Sequence, residues 1–360
     1  MIRILLVGFG HVGRRLAEIL SSRSLYPGLA GLNVSIIGIT TGRHGSLICP
    51  QGVDLSAALK DWQSAEQFPP GAGRVPRMDS LQAIRSIDYD VLVELSTLNV
   101  AQRGEPAITH VREALARGKH VITCNKGPVA WAYRSLRDLA AAREVSFLYE
   151  GTVMDGAPVF NLAHRCLVGN TIRRIEGILN STTNVILAAM ENGMSLEQGL
   201  ALAQQEGVAE ADARLDLDGW DAAVKLSALA NAVMGGELLP EEVERQSLFS
   251  LSPEQARTAV ARGFRLKMVC RVERNDSGLR ASVKATEVPL SDPLALVAKT
   301  GSMIRITTDL LGQFTLTQEN PNLTSTAYAV ISDLFCLLGR QRTAHDPGSI
   351  RGRMKAFGKG

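Results

Sequence analysis

Short apolar runs alternate with amphipathic stretches through residues 1–150, the pattern of a parallel sheet covered by helices. The runs predict strands at 2–8, 32–40, 89–97, 120–126 and 146–153. Between them, 12–20, 104–117 and 133–143 predict helices, and in the second of these Ala107, Ile108, Val111 and Leu115 share one face. Beyond about residue 155 the texture changes. A strand is expected at 171–180, helices at 196–206 and 220–234, a hairpin over 265–288 turning at 275–278, and a second strand pair over 303–318. Ser195 with Gln198 forms a capping box and Gly207 supplies a stop, so 196–206 has defined ends. An apolar helix at 323–338 follows Pro321 and is placed to close back onto the first unit. The segment "QFPPGAGRVPRM", 67–78, reads as a Pro/Gly loop.

The first chemical motif is "GFGHVG", with Gly8, Gly10 and Gly13, and with His11 and Val12 in the turn, set between the first strand and the first helix. Glycine at these positions permits a tight turn and close backbone approach, and the following helix N-terminus suits a pyrophosphate. In this strand–turn–helix setting the motif predicts a dinucleotide cofactor. The fold expected is therefore α/β: a Rossmann-type dinucleotide-binding domain over 1–150, with 320–340 packing back on it, and a second, α+β domain over 151–319. Residues 341–360, basic and glycine-rich, are expected to form a flexible tail. At the end of the second strand, where NAD-binding sites usually carry an acid, the chain reads "ITTGRHG". Arg43 there can pair with a 2′-phosphate, which predicts NADP over NAD; the competing reading is a solvated loop arginine. Strand ends elsewhere face the same crevice, which places Ser96, Thr97 and Asn125 beside the cofactor and Lys126 beside the substrate.

The helix at 220–234 is apolar on nearly every side, yet it carries Asp221 and Lys225 one turn apart. Exposed, such a pair contributes only about 0.3–0.5 kcal/mol. Buried, it carries a desolvation cost that asks for a use. Burial lowers a lysine's pKa and Asp221 opposes that shift, so Lys225 is expected to exchange a proton, with Lys126 keeping it from full protonation. The loop before the helix holds Glu210, Asp212, Asp216 and Asp218, which suits an ammonium-bearing substrate or, in the competing reading, is a hydrated acidic loop or a divalent-metal site.

Composition narrows the classes. Net charge is +3 and dispersed, which gives no footprint for nucleic acid. The five cysteines form no C-x-x-C pair, so neither a disulfide framework nor a zinc site is expected, and a reducing cytoplasm fits. "MIRILLVGFG" is broken by glycine and reads as a strand rather than a signal peptide, and no apolar run approaches a bilayer span.

"GFGHVG", "TCNKGP", "YEGTVMDGAP", "GILNSTTN" and "GVAEADARLDLDGWDAAVKL" occur in the order and approximate spacing seen in homoserine dehydrogenases, and the chain resembles that family from residue 1 to about 340. The resemblance implies NAD(P)-dependent interconversion of L-homoserine and L-aspartate 4-semialdehyde, on the branch to threonine and methionine, by a homodimer formed through the second domain. It implies that Lys225 and Lys126 face the reacting carbon, that Asp221 positions Lys225, and that Glu210 and Asp216 bind the substrate's amino group with Thr182 nearby. It implies also a monovalent cation such as Na⁺ or K⁺ held by main-chain carbonyls of Glu150, Val153, Asp155 and Ala157. The chain departs from the pattern at "TVMDG", which introduces the Asp155 carboxylate, at Cys124 and at Val208. A related dehydrogenase of another amino or hydroxy acid, and a non-catalytic NADP-binding sensor, are the competing readings.

Overall fold

The structure, a computed structural model, describes residues 1–68 and 78–345, with side chains to 339. Most of the Pro/Gly segment 67–78 and of the basic tail thus lies outside the described residues. Two six-stranded sheets organise the chain. The first contains β1 (Ile2–Val7), β2 (Val34–Thr40), β3 (Ser46–Ile48), β4 (Val91–Glu94), β5 (His120–Thr123) and β6 (Phe147–Leu148), in the order β3-β2-β1-β4-β5-β6. All its pairings are parallel except that of β2 with β3. The order reverses between β1 and β4, and ligands of open α/β sheets bind at such a switch point.

The second sheet contains β7 (Ile172–Ile178), β8 (Glu244–Arg245), β9 (Phe264–Asn275), β10 (Gly278–Pro289), β11 (Ser302–Thr308) and β12 (Gln313–Gln318), in the order β12-β11-β7-β9-β10-β8. Only β8 with β10 is parallel. Ile175, Cys270, Val272, Ile304 and Ile306 pack on helices Ser181–Glu191 and Trp220–Val233 in one large core. The first sheet is covered on both faces, with Leu5, Val7 and Ile37 in one core and Ile4, Leu6 and Ile36 in the other.

Strands in the first sheet end earlier than apolarity suggests. Strand β6 keeps two residues because Glu150 leaves the sheet, its amide donating to Asp333 at 3.0 Å. The edge strand β3 and the helices Leu55–Ala65, Ser80–Ser86, Val159–Cys166, Ser181–Glu191 and Pro253–Ala261 were not expected. The expected capping box at Ser195 and Gln198 is present. The closing helix begins at Leu323 as expected but runs to His345, so the tail's first residues are helical rather than loose. Its Ala327, Val330, Ile331, Leu334 and Leu337 lie in the core of the first sheet. No helix among the described residues is long and apolar enough to cross a membrane.

One buried charge lies in the second sheet, away from the cofactor-binding motif. Lys267 on β9 is 2% exposed and donates to Asn184 Oδ1 and the Val297 carbonyl, each at 2.7 Å. Burial pushes its pKa down to about 8, with Glu191 opposing. Between that value and the unfolded-chain value of about 10.4, the unfolded chain binds more protons. The penalty is therefore complete below pH 8 and lifts as pH rises. In thermal melts, the stability of Lys267→Met relative to wild type is expected to fall by on the order of 3 kcal/mol from pH 7 to pH 10.5. A difference flat across that range contradicts the assignment.

Candidate active site

The glycine motif forms the first half of the site. Gly8 has φ +98°, and a Cβ there would stand 2.5 Å from the Leu95 carbonyl oxygen. A Cβ on Gly13 would lie 2.6 Å from the Gly8 carbonyl oxygen, so these two glycines are required by the fold. Gly10 differs: nothing stands within 4 Å of its would-be Cβ. Helix His11–Ser21 starts from Gly10 with no side-chain cap and no acid in its first turn, leaving its amides to an anion. They open into a cleft of about 850 Å³ lined in part by Gly8, Gly10, His11, Arg43, Ser96 and Thr97. The cradle fits a dinucleotide pyrophosphate. Gly10→Ala is accordingly expected to keep its melting temperature within about 2 °C while losing at least ~10-fold in NAD(P)H affinity by fluorescence titration. Unchanged affinity would place the phosphates elsewhere.

Three expected cofactor residues sit behind this surface. Gly13 is buried against Gly8, and Val12 is half-buried in the first helical turn. Asn125 is 4% exposed, and its amide donates to the Ser96 carbonyl at 2.9 Å and accepts from the Gly127 amide at 2.9 Å. It clamps the ends of β4 and β5 rather than lining the cleft. Arg14 and Trp62, which sequence reasoning missed, line it beside Arg43. Arg14 lies over the Trp62 ring at 5.4 Å, and His44 contacts the same ring at 5.1 Å. Trp62 belongs to an unexpected helix, so no motif pointed to it.

The second half of the site is built around Asp221. Gly219, at φ +73°, turns the chain into helix Trp220–Val233, and one turn later Lys225 Nζ meets Asp221 Oδ2 at 2.7 Å. From the other half of the chain, Lys126 Nζ approaches Asp221 Oδ1 at 3.5 Å. Lys225 also donates to the Leu179 carbonyl at 2.7 Å. Asn180 Nδ2 bridges two carboxylates, donating to Asp216 at 2.7 Å and Asp221 at 3.1 Å. Thr182 Oγ1 donates to Asp216 at 2.8 Å and lies 3.4 Å from the Val208 carbonyl. Sequence reasoning missed Asn180; its signal was its place ahead of Ser-Thr-Thr, as the N-cap of Ser181–Glu191.

Electrostatics correct the expected state of Lys225. Burial pushes its pKa down, but Asp221, with Asp155 and Asp216, outweighs burial and holds it above the ordinary lysine value. Burial works against the charged form of Asp221 as well, and Lys225 and Lys126 together still hold its pKa below the carboxylate range. The negative charge between the two lysines therefore keeps Lys225 an ammonium, where the sequence suggested partial deprotonation. Burial, with Asp221 nearby, raises the Asp216 pKa against the hydrogen bonds from Thr182 and Asn180.

The acidic loop divides. Asp216 joins the lysine face, Asp212 pairs with Arg214 at 2.7 Å, and Asp218 accepts from Ser247 at 2.8 Å. Glu210 is exposed. No group of three or more His, Cys, Asp or Glu that could hold a metal occurs among the described residues. At the turn where the resemblance implies a monovalent cation, the Ala157 carbonyl accepts from the Val159 amide at 2.7 Å and the Asp155 carbonyl from Gln318 at 3.5 Å. The Glu150 carboxylate is spent on the amides of Phe160 and Asn161, at 2.8 and 2.9 Å. Met154, Asp155 and Gly156 all have positive φ, at 56°, 43° and 94°. A carbonyl oxygen carries two lone pairs, so the Ala157 and Asp155 carbonyls each keep one for a cation beside the protein donor, and no chemistry is routed through the turn.

Known proteins resemble this chain across both of its halves. The family model for the homoserine dehydrogenase NAD binding domain matches residues 8–150, and that for homoserine dehydrogenase matches 158–335. An NAD(+)-dependent homoserine dehydrogenase of Pseudomonas canavaninivorans is 35% identical, over 92% of this chain and 95% of the relative. A homoserine dehydrogenase of Methanocaldococcus jannaschii is 34% identical, over 92% and 97%. A hyperthermophilic archaeal homoserine dehydrogenase solved in complex with NADPH superposes with a TM-score of 0.79 at 27% identity, over 94% and 98%. With a dinucleotide cleft on one side and a two-lysine face on the other, and with relatives matched over nearly their whole length, this chain belongs to the homoserine dehydrogenase family.

Proposed function

We propose that the chain catalyses NAD(P)-dependent interconversion of L-homoserine and L-aspartate 4-semialdehyde, the step leading toward threonine and methionine, at the face formed by Lys126, Asp221 and Lys225. The observation that carries this reading is the single carboxylate of Asp221 drawing together two lysines from separate halves of the chain. When bound, the nicotinamide supplies or accepts the hydride. Lys225, held as an ammonium, donates a proton to the oxygen that becomes the hydroxyl in aldehyde reduction and takes one back in homoserine oxidation. Lys126 adds positive charge where negative charge develops on that oxygen. Asp216, steadied by Asn180 and Thr182, accepts the substrate ammonium, with Glu210 at the rim.

NADP is the preferred cofactor in this proposal, because Arg43 and Arg14 share the cleft and can pair with a 2′-phosphate, while Glu66 and Asp79 in the same lining are the carboxylates that would serve NAD. NAD is the second reading, supported by the dependence named for the Pseudomonas relative. Absorbance at the reduced-nicotinamide band with L-homoserine tests both parts. Turnover is expected with homoserine, and Arg43→Ala is expected to lower kcat/KM for NADP at least ~10-fold while leaving NAD within about twofold. No turnover with homoserine overturns the reaction, and an unchanged cofactor ratio overturns Arg43.

A homodimer belongs to the same proposal. Side chains alternate across a strand, so Arg174 and Glu176 face away from the helices that Ile175 packs on, and Arg174 and Arg271, either side of Glu176, stay partly exposed. That face is the surface a second copy would cover, and a monomer in sedimentation equilibrium removes this part.

A further inference from the structure

Strand β4 ends in Glu94, whose side chain is wholly buried. Four donors converge on its carboxylate: the Ser96 amide at 3.3 Å, the Ser96 hydroxyl in a short contact, the Thr123 hydroxyl at 3.5 Å and His110 Nδ1 at 3.4 Å. The first three are neutral. His110 is the one basic side chain within ion-pair distance among the described residues. A carboxylate removed from water is costly unless its oxygens are met by donors, and the His110 ring N–H is the donor that comes from the helix facing the cleft.

His110 is 7% exposed and stands on helix Ala107–Ala116. Together with Pro106, Ser96 and Thr97 it lines the dinucleotide cleft that the glycine turn also lines. An ionised carboxylate only accepts, so Nδ1–H points at Glu94. Nε2 then lies on the opposite edge of the ring, free to serve the cleft.

We propose that Glu94 and His110 form a buried carboxylate–imidazole pair that presents His110 Nε2 to the ribose segment of the bound dinucleotide. His110 is then a cofactor-binding residue, and Glu94 is the positioning residue that acts through it. The chemistry matches: helix amides grip the pyrophosphate from the glycine turn, and the ring nitrogen left over from the Glu94 contact accepts a ribose hydroxyl from another part of the cleft. The same carboxylate fixes Ser96, whose hydroxyl it binds and whose carbonyl and hydroxyl receive Asn125 Nδ2 at 2.9 and 3.3 Å. One buried charge thus sets both cleft-facing side chains.

This inference rests on NAD(P) occupying the cleft, and its test separates the two. NADPH binding is titrated by fluorescence for wild type, His110→Phe, His110→Asn and Glu94→Gln, alongside steady-state kinetics. His110→Phe is expected to raise the Kd and KM for NADPH at least ~10-fold with KM for homoserine within about twofold. His110→Asn, which keeps a donor for Glu94 but lacks the reach to the cleft, is expected to show the same loss and carries the test if the Phe variant fails to fold. Glu94→Gln is expected to raise KM for NADPH without raising that for homoserine, and to add less than twofold to the loss in His110→Phe. Folded His110 variants that bind NADPH within twofold of wild type overturn the proposal, as do losses from the two positions that multiply independently. Wild type binding neither NADPH nor NADH overturns the reading of the cleft instead.

Discussion

Lys225→Met is expected to lower kcat by about 10²- to 10⁴-fold, the range a positioned proton-transfer group contributes. Methionine retains the length of the side chain and removes only the ammonium. Asp221 keeps Lys126 as a partner at 3.5 Å, so the helix is expected to stay folded and the cofactor affinity to stay near wild type. The effect has a direction in pH. Reduction of the aldehyde needs Lys225 protonated, and its pKa is held up by Asp221, so that rate is flat through neutrality. Oxidation of homoserine needs the free amine and rises with pH in wild type. The variant should lose that rise as well as its rate. Single-turnover absorbance in both directions checks this, and a folded Lys225→Met enzyme within fivefold of wild type sinks the assignment.

Asp221→Asn is expected to cost both stability and catalysis. Asn retains the shape and removes the charge that separates the two lysines, leaving like charges facing each other. Side-chain exposures of 18% for Asp221 and 19% for Lys225 make this a mostly buried pair. Breaking a fully buried pair costs about 3–5 kcal/mol, and the residual exposure reduces the expected loss to about 2–3 kcal/mol. Asp221 has a folded pKa below its unfolded value, so its contribution is complete above about pH 5 and is lost as pH falls through the folded value. Lys225 has a raised pKa, so its share is present below about pH 10 and lost as pH rises beyond it. The deficit of the variant in thermal melts should accordingly be constant from about pH 5 to pH 9 and shrink in acid. Loss of Lys225 orientation is expected to lower kcat about 100-fold. A variant with wild-type melting and wild-type rate would make Asp221 a bystander.

Periodicity and local motifs carry some parts of this molecule and not others. The strand–turn–helix around Gly8, Gly10 and Gly13 was legible because backbone approach demands glycine there, and helix Trp220–Val233 because an i, i+4 ion pair on an apolar helix is costly without a purpose. Helix Ser181–Glu191 was not, since it opens on Ser-Thr-Thr-Asn, residues that favour helix poorly, and is held by burial of Val185, Ile186 and Leu187. Asn180 was invisible as a site residue for the same reason. Its capping role is local, but its bridge from Asp216 to Asp221 exists only once the chain between them has folded back. The protonation of Lys225 depends on the order in which three charges line up, and spacing along the chain does not encode that order. Asn125 sat at a strand end as expected, yet a strand end faces both the cleft and its neighbour, and here the neighbour takes the amide.

The helix Leu323–His345 closes a core begun at the other end of the chain, with Val330 and Leu334 packed beside Ile4 and Leu6. During synthesis, therefore, the cofactor-binding half cannot finish burying its apolar surface when its own strands leave the ribosome. It waits through the making of the whole catalytic sheet, roughly ten to thirty seconds at ordinary elongation rates, with that face uncovered. A substitution such as Leu334→Ala, at a wholly buried position, prolongs that exposure into the finished chain, because the closing helix then covers the face at a cost of about 2–5 kcal/mol.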